Sequence, residues 1–208
     1  MQLQNSGWLL LASALVACAT AAPTRRDTAR MLDQMPSWFQ APLDNQEQFY
    51  QGRATSVSRD LQLAIDNAAA DARTQLAQSV DLYVTSIVSS ATSQAGEAGN
   101  ESATRLREAA SRQVVAQSLR NSQIDRQETR AEADGRIRAW VRVRMMKGEA
   151  AAALRAEVQR EQELYARFRG TEALRQLDSQ VAQYERMRAG QSPTSVPADT
   201  TRRPPPEL

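Results

Sequence analysis

The 208-residue chain has no histidine, a single cysteine (Cys18) and a single lysine (Lys147). Without histidine there is no imidazole base and no Cys/His zinc cluster, and one thiol cannot close a disulfide within the chain. Aromatic residues make up only 5%, so a core has to be assembled from Ala, Leu, Val and Ile. There is little basic excess either, a formal net charge of +2. The 26 basic residues face 24 acidic ones, and the two signs alternate along the chain, a pattern unlike the gathered patch of a nucleic-acid binder. An enzyme would have to work with paired carboxylates or a Ser–Lys pair, and no Ser-x-x-Lys precedes Lys147. The chain therefore reads as non-enzymatic, with no catalytic residue, metal site or cofactor assigned and no nucleic acid as partner.

The uncharged run over residues 8–17, W-L-L-L-A-S-A-L-V-A, is far short of the roughly 20 apolar residues that span a bilayer. It matches the hydrophobic stretch of a secretory signal, for which roughly 7–15 residues suffice. Leu15-Val16-Ala17-Cys18 closes that run and resembles the lipobox of bacterial lipoproteins. The resemblance implies cleavage before Cys18, a diacylglycerol on its thiol and acylation of the new amine. Only a thiolate is nucleophilic enough for the thioether. Acyl chains contribute about 0.8 kcal/mol per buried methylene, so several of them make a near-permanent anchor. By the same resemblance, to sorting in Gram-negative lipoproteins, Ala rather than Asp at position 19 implies the outer membrane, with the mature chain facing the periplasm or the surface.

Residues 18–35 are polar and mixed in charge, which suits a tether. Residues 49–55 (F-Y-Q-G-R-A-T) have the look of a short strand, and Gly52 there allows close backbone approach. Apolar residues then recur every three or four positions at Val57, Leu61, Ile65, Ala68, Ala72, Leu76, Val80, Val84, Ile87 and Ala91. This is a long amphipathic helix whose Ala64, Ala68 and Ala72 permit close packing on a sheet. Ser56 or Ser58 is placed to cap it, with Asp60 in its first turn. Asp60, Asp71 and Asp81 on the opposite side read as a solvated face rather than a metal or acid–base site.

Gly96 and Gly99 end that helix, and a second helix is expected over 102–118, built on Leu106, Ala110 and Val114. Two strands, 119–130 and 136–146, flank Asp134-Gly135, a strong hairpin signal. The second alternates cleanly, with Ile137, Ala139, Val141, Val143 and Met145 on a buried face. Arg136, Arg138, Trp140, Arg142 and Arg144 fall on the wet one. Asp125 and Glu128 on the first strand can offset part of this Arg row.

After Lys147-Gly148 the pattern is helical to residue 189. Leu154, Val158, Tyr165 and Phe168 form a stripe, the phase shifts at Gly170-Thr171, and Leu174, Leu177, Val181 and Tyr184 continue at coiled-coil spacing. Glu163 and Arg167 are set for an i,i+4 pair. The stripe is too sparse for a solitary helix, so the domain, a second copy or a partner has to cover it. We expect an interaction element separable from the domain. Residues 190–208 hold five of the eight prolines and read as a disordered tail.

A lipobox Cys, then Pro36-x-Trp38, a strand with Gly52, the Ala-rich run over 64–77 and an Asp134-Gly135 hairpin ending in A-W-V-R-V-R together resemble the LPP-twenty family of bacterial lipoproteins. The likeness covers residues 36–147. It implies an α+β domain, with a long helix packed on a small three-stranded antiparallel sheet. The long C-terminal helical extension (148–189) and the tail lie outside it.

The expected function is that of an outer-membrane lipoprotein, lipid-anchored through Cys18. It would act as an interaction module whose C-terminal helix meets an envelope protein or a second copy of the chain. One alternative is a binding module for an anionic glycan or lipid of the envelope through Arg138, Trp140, Arg142 and Arg144, where an aromatic ring flanked by guanidinium groups suits such contacts; behind it stands a periplasmic enzyme.

Overall fold

A computed structural model of the protein describes residues 29, 32–41 and 48–190. The signal-like run, Cys18 and residues 191–208 of the tail lie outside the described residues. The chain divides into Met1–Met35, helical over residues 32–34, and a second unit that begins at Pro36. All that follows concerns the second unit.

Its elements are a short helix α1 (Ser37–Gln40), strand β1 (Phe49–Ser58), helix α2 (Leu61–Gln94), helix α3 (Glu101–Asn121) and the hairpin β2 (Gln123–Ala131) and β3 (Ile137–Met146). Helices α4 (Lys147–Arg160), α5 (Gln162–Phe168) and α6 (Glu172–Gly190) follow. The fold is α+β. Its antiparallel sheet has the order β1-β3-β2, with the alternating strand in the centre.

The β2–β3 turn is a three-residue loop. Glu132 N donates to Arg136 O at 2.8 Å, Gly135 N to Glu132 O at 3.1 Å, and Gly135 takes φ 76°, the left-handed position such a loop requires. Strand β1 runs three residues beyond the expected Thr55 and takes in Val57. Helix α2 starts only at Leu61, because Asp60 is its N-cap and accepts from Leu63 N at 2.7 Å. Of the two serines expected to cap, Ser56 lies within β1 and Ser58 accepts from Asp60 N instead. Helix α3 runs on to Asn121, so the residues expected to open strand β2 belong to that helix. Gly96 (φ 73°) and Gly99 (φ 84°) make the reversal between α2 and α3.

Helix α2 has 34 residues, about 50 Å at 1.5 Å per residue, and so outruns the sheet. It packs against β1 and β3, and also against α3, α5 and α6. Ala64, Ala68, Ala69 and Ala72 are buried in its N-terminal half. Farther along, Val80, Val84, Ile87, Val88 and Ala91 share a core with Leu106 and Val114 of α3.

The C-terminal segment is three helices rather than one, and the expectation that it is separable is corrected here. Leu154, Val158, Leu164, Phe168, Leu174, Leu177 and Val181 are all buried, in the same continuous core as α2 and the sheet. The domain itself covers the stripe. Breaks at Glu161 and over 169–171 allow this, because they fold the segment into short pieces whose apolar sides all meet one core. Arg167 accordingly pairs with Glu97 in the α2–α3 turn at 2.5 Å rather than with the expected Glu163.

Candidate functional site

One sheet face lies under α2; the other carries the arginines. Register places Arg53 beside Arg142 and Thr55 beside Trp140 on one side of β3. On the other side it places Arg126, Glu128 and Arg130 beside Arg142, Trp140 and Arg138. A bulge between Ile124 and Arg126 inserts Asp125 into this row. The face so assembled holds six guanidinium groups (Arg53, Arg126, Arg130, Arg138, Arg142, Arg144) and three carboxylates (Asp125, Glu128, Glu132).

The arginines differ in how far they are engaged. Arg142 makes a forked contact with Asp125: Nε donates to Oδ1 at 2.9 Å and Nη2 donates to Oδ2. The two side chains are only 19% and 10% exposed. Arg138 Nε donates to Glu132 Oε1 at 2.6 Å, and Arg130 Nη2 to Glu128 Oε1 at 2.7 Å. Arg144 is more open, 3.7 Å from Asp125 and 4.8 Å from the Phe49 ring centroid. Arg126 is exposed and has no ion-pair partner among the described residues.

Trp140 departs from the expectation. It shares the arginine face but is 2% exposed, so it cannot serve as a stacking platform. Alternation assigns a residue to a side of the sheet and says nothing of how deeply its neighbours cover it. Here the ring sits on the central strand between Thr55 and Glu128, flanked along β3 by Arg138 and Arg142, with the Arg130 guanidinium 6.0 Å from its centroid. Long side chains lay their methylene stems on such a ring while their heads stay wet.

Two further aromatic groups at the rim of this face come from α1. Arg142 lies 5.9 Å from the Trp38 ring centroid and Arg53 lies 5.5 Å from that of Phe39, with the two rings edge to face. Arg53 Nη1 also donates to Ala41 O. The folded unit thus begins, at Pro36, on the arginine side of the sheet.

Of the sequence-predicted site residues, Arg138, Arg142 and Arg144 are brought together, Trp140 is withdrawn beneath them, and Cys18 lies outside the described residues. Arg53, Arg126 and Arg130 complete the face. Only the strand register could have found them, because it depends on which strand lies in the centre. Asp71 and Asp81 stand exposed on α2, and among the described residues no three metal-ligating side chains gather. Among those residues no helix is long and apolar enough to cross a membrane. No protein-family model, characterised protein or solved structure matches the chain.

Proposed function

We propose that the protein is a non-enzymatic lipoprotein of the bacterial cell envelope. Cys18 anchors it to the outer membrane, and its α+β domain serves as an interaction module that lies against anionic lipid headgroups. The anchor reading rests on Leu15-Val16-Ala17-Cys18 at the end of an uncharged run, and on the LPP-twenty-like order of motifs from Pro36 to Lys147.

The observation that carries the interaction reading is the excess of guanidinium groups over carboxylates on the face where the folded unit begins. A tether of residues 18–35 joins the chain there, so an anchored domain can turn this face to the bilayer. Arginine binds phosphate oxygens in a forked geometry, and each basic side chain near an anionic surface contributes about 1 kcal/mol. Trp38 and Phe39 at the rim suit the headgroup level. The apolar stripe of the C-terminal helices is occupied by the core. An envelope protein or second copy meeting them would have to use their polar outer sides.

Two measurements test this. In a bacterial host fed radioactive palmitate, Cys18→Ser is expected to lose the label and to leave the membrane fraction; unchanged labelling removes the anchor. The Cys18→Ser chain is expected to sediment with phosphatidylglycerol-containing vesicles and not with phosphatidylcholine vesicles. Arg126→Glu combined with Arg144→Glu should weaken that partition by about tenfold or more. Equal binding to both vesicles, or an unaffected double variant, overturns the surface and leaves an anionic glycan as the occupant to try.

A further inference from the structure

Away from the arginine face, β1, α2, α6 and the first residue of α4 line an open cleft of about 470 Å³. Tyr50, Tyr83, Ser86, Lys147 and Gln176 give it its chemistry, and Ile87 and Ala173 are its apolar part. The volume is in the range of ordinary small-molecule sites, which run from roughly 300 to 1,000 Å³.

Its polar groups fall into two sets. One is spent on building the wall: Tyr83 Oη donates to Gln180 Oε1 at 2.6 Å, and Ser86 Oγ donates to the Tyr83 carbonyl at 2.7 Å. The other is unspent. Lys147 Nζ stands 5.6 Å from the Tyr50 ring centroid and has no carboxylate partner among the described residues. The Tyr50 hydroxyl and the Gln176 carboxamide have no hydrogen-bond partner among those residues either. Residues carrying an ammonium, a phenol and an amide, all able to donate, thus line one cleft, and among the described residues nothing accepts from those groups.

The single lysine in a chain of 25 arginines stands at this cleft. A compact ammonium on a flexible stem suits a point contact inside a cleft, whereas the broad guanidinium fork suits open surfaces. Burial pushes the Tyr50 and Tyr83 phenols well above their ordinary range, so both remain neutral donors. Their rings, with centroids 5.9 Å apart and tilted by 53°, offer a carbon skeleton a firm side to rest on.

We infer that this cleft binds a small organic oxyanion, a carboxylate or a phosphate monoester. Lys147 and Tyr50 hold the charged oxygens, and Gln176 donates to an adjacent polar group. The inference is independent of the lipid anchor and of the arginine face.

The only lysine is also the only side-chain amine, so an acylating reagent reports on the site directly. The purified full chain is treated with a limiting amine acylator in chloride, inorganic phosphate or glucuronate at matched ionic strength, and modification of Lys147 is read by mass spectrometry. Phosphate or glucuronate is expected to slow acylation several-fold relative to chloride. Protection by phosphate alone assigns a phosphate monoester, and protection by glucuronate alone a carboxylate. Tyr50→Phe and Gln176→Ala, which remove one donor each, are expected to erase most of the protection while the helical circular dichroism stays unchanged. Equal acylation in all three salts overturns the site. So does protection that persists in both variants, because it would reflect ionic atmosphere rather than the donors named.

Discussion

A Cβ placed on Gly52 would stand 1.9 Å from the carbonyl oxygen of Ala72. Strand β1 and helix α2 meet there backbone to backbone, and the alanines on α2 make the approach possible. The contact is tight enough that Gln75 of α2 accepts from Arg53 N at 3.2 Å with its side-chain carbonyl. Only glycine fits this position.

Gly52→Ala is therefore expected to cost roughly 3 kcal/mol, the upper part of the overpacking range, because the atom in the way is backbone and cannot swing aside. Gly135→Ala meets only the left-handed φ of its turn, with open space around it, and should cost roughly 1–2 kcal/mol. Urea midpoints of the two variants give the order. A milder Gly52 variant would mean that β1 and α2 are not in this contact.

The C-terminal helices should prove part of the core. A chain ending at Lys147 uncovers the side of α2 and α3 on which Leu154, Phe168, Leu177 and Val181 lie. Such a chain should lose its cooperative thermal transition. Leu177→Ala in the full chain should cost about 2–5 kcal/mol, as for any fully buried leucine. A truncated chain that still unfolds sharply would restore the separable element.

On the arginine face, position within the ion-pair network should decide the cost. Arg142→Ser leaves Asp125 largely buried without its forked partner, and about 1.5–3 kcal/mol is expected, the range for hydrogen bonds to charged groups. Arg126→Ser breaks no ion pair among the described residues and should stay within about 0.5 kcal/mol. Denaturant midpoints that agree for the two would show Asp125 to be solvated. Trp140→Ala should exceed both, at about 3–5 kcal/mol.

Alkaline stability should follow the two cleft tyrosines. Their phenols are held above the ordinary value of about 10, so the unfolded chain releases these protons first. The stability tied to these two groups is therefore full below about pH 10 and is lost as the pH rises beyond it. The part of the tyrosinate absorbance that is missing in Tyr83→Phe should appear together with the loss of helical dichroism in the unaltered chain. Tyr83→Phe should also soften the pH dependence, and ionisation of that part well before unfolding would contradict the burial.

On the acid side, Asn100 and Arg167 hold the Glu97 carboxyl below its ordinary value. A carboxyl with a lowered value adds stability above the unfolded-chain pKa and loses it as the pH falls through the folded one. Glu97→Gln should flatten the acid limb of a melting-temperature profile between about pH 5 and pH 3. An unchanged limb would mean that the link between the α2–α3 turn and α5 is not made in solution.

Much of this architecture was legible in the residues alone. Alternation along 137–146 marks the buried side of β3, the three-and-four spacing after residue 60 marks α2, and Asp134-Gly135 marks the hairpin. Gly52 points to a close approach. These are local signals, set by backbone geometry and by which side chains must leave water, and a linear reading can follow them.

Three things were decided only by tertiary structure. The order β1-β3-β2 assembles Arg53, Arg126 and Arg130 with the β3 row, and it buries Trp140 by surrounding the central strand on both sides. The breaks near Glu161 and Gly170 turn the C-terminal stripe back onto α2 and α3, because a sparse apolar stripe gains more from an existing core than from water. The cleft joins Tyr50, Tyr83, Lys147 and Gln176 across 126 positions of sequence. No periodicity encodes that meeting. It depends on where whole elements pack, and their packing follows from the apolar surface the complete chain must hide rather than from any one segment.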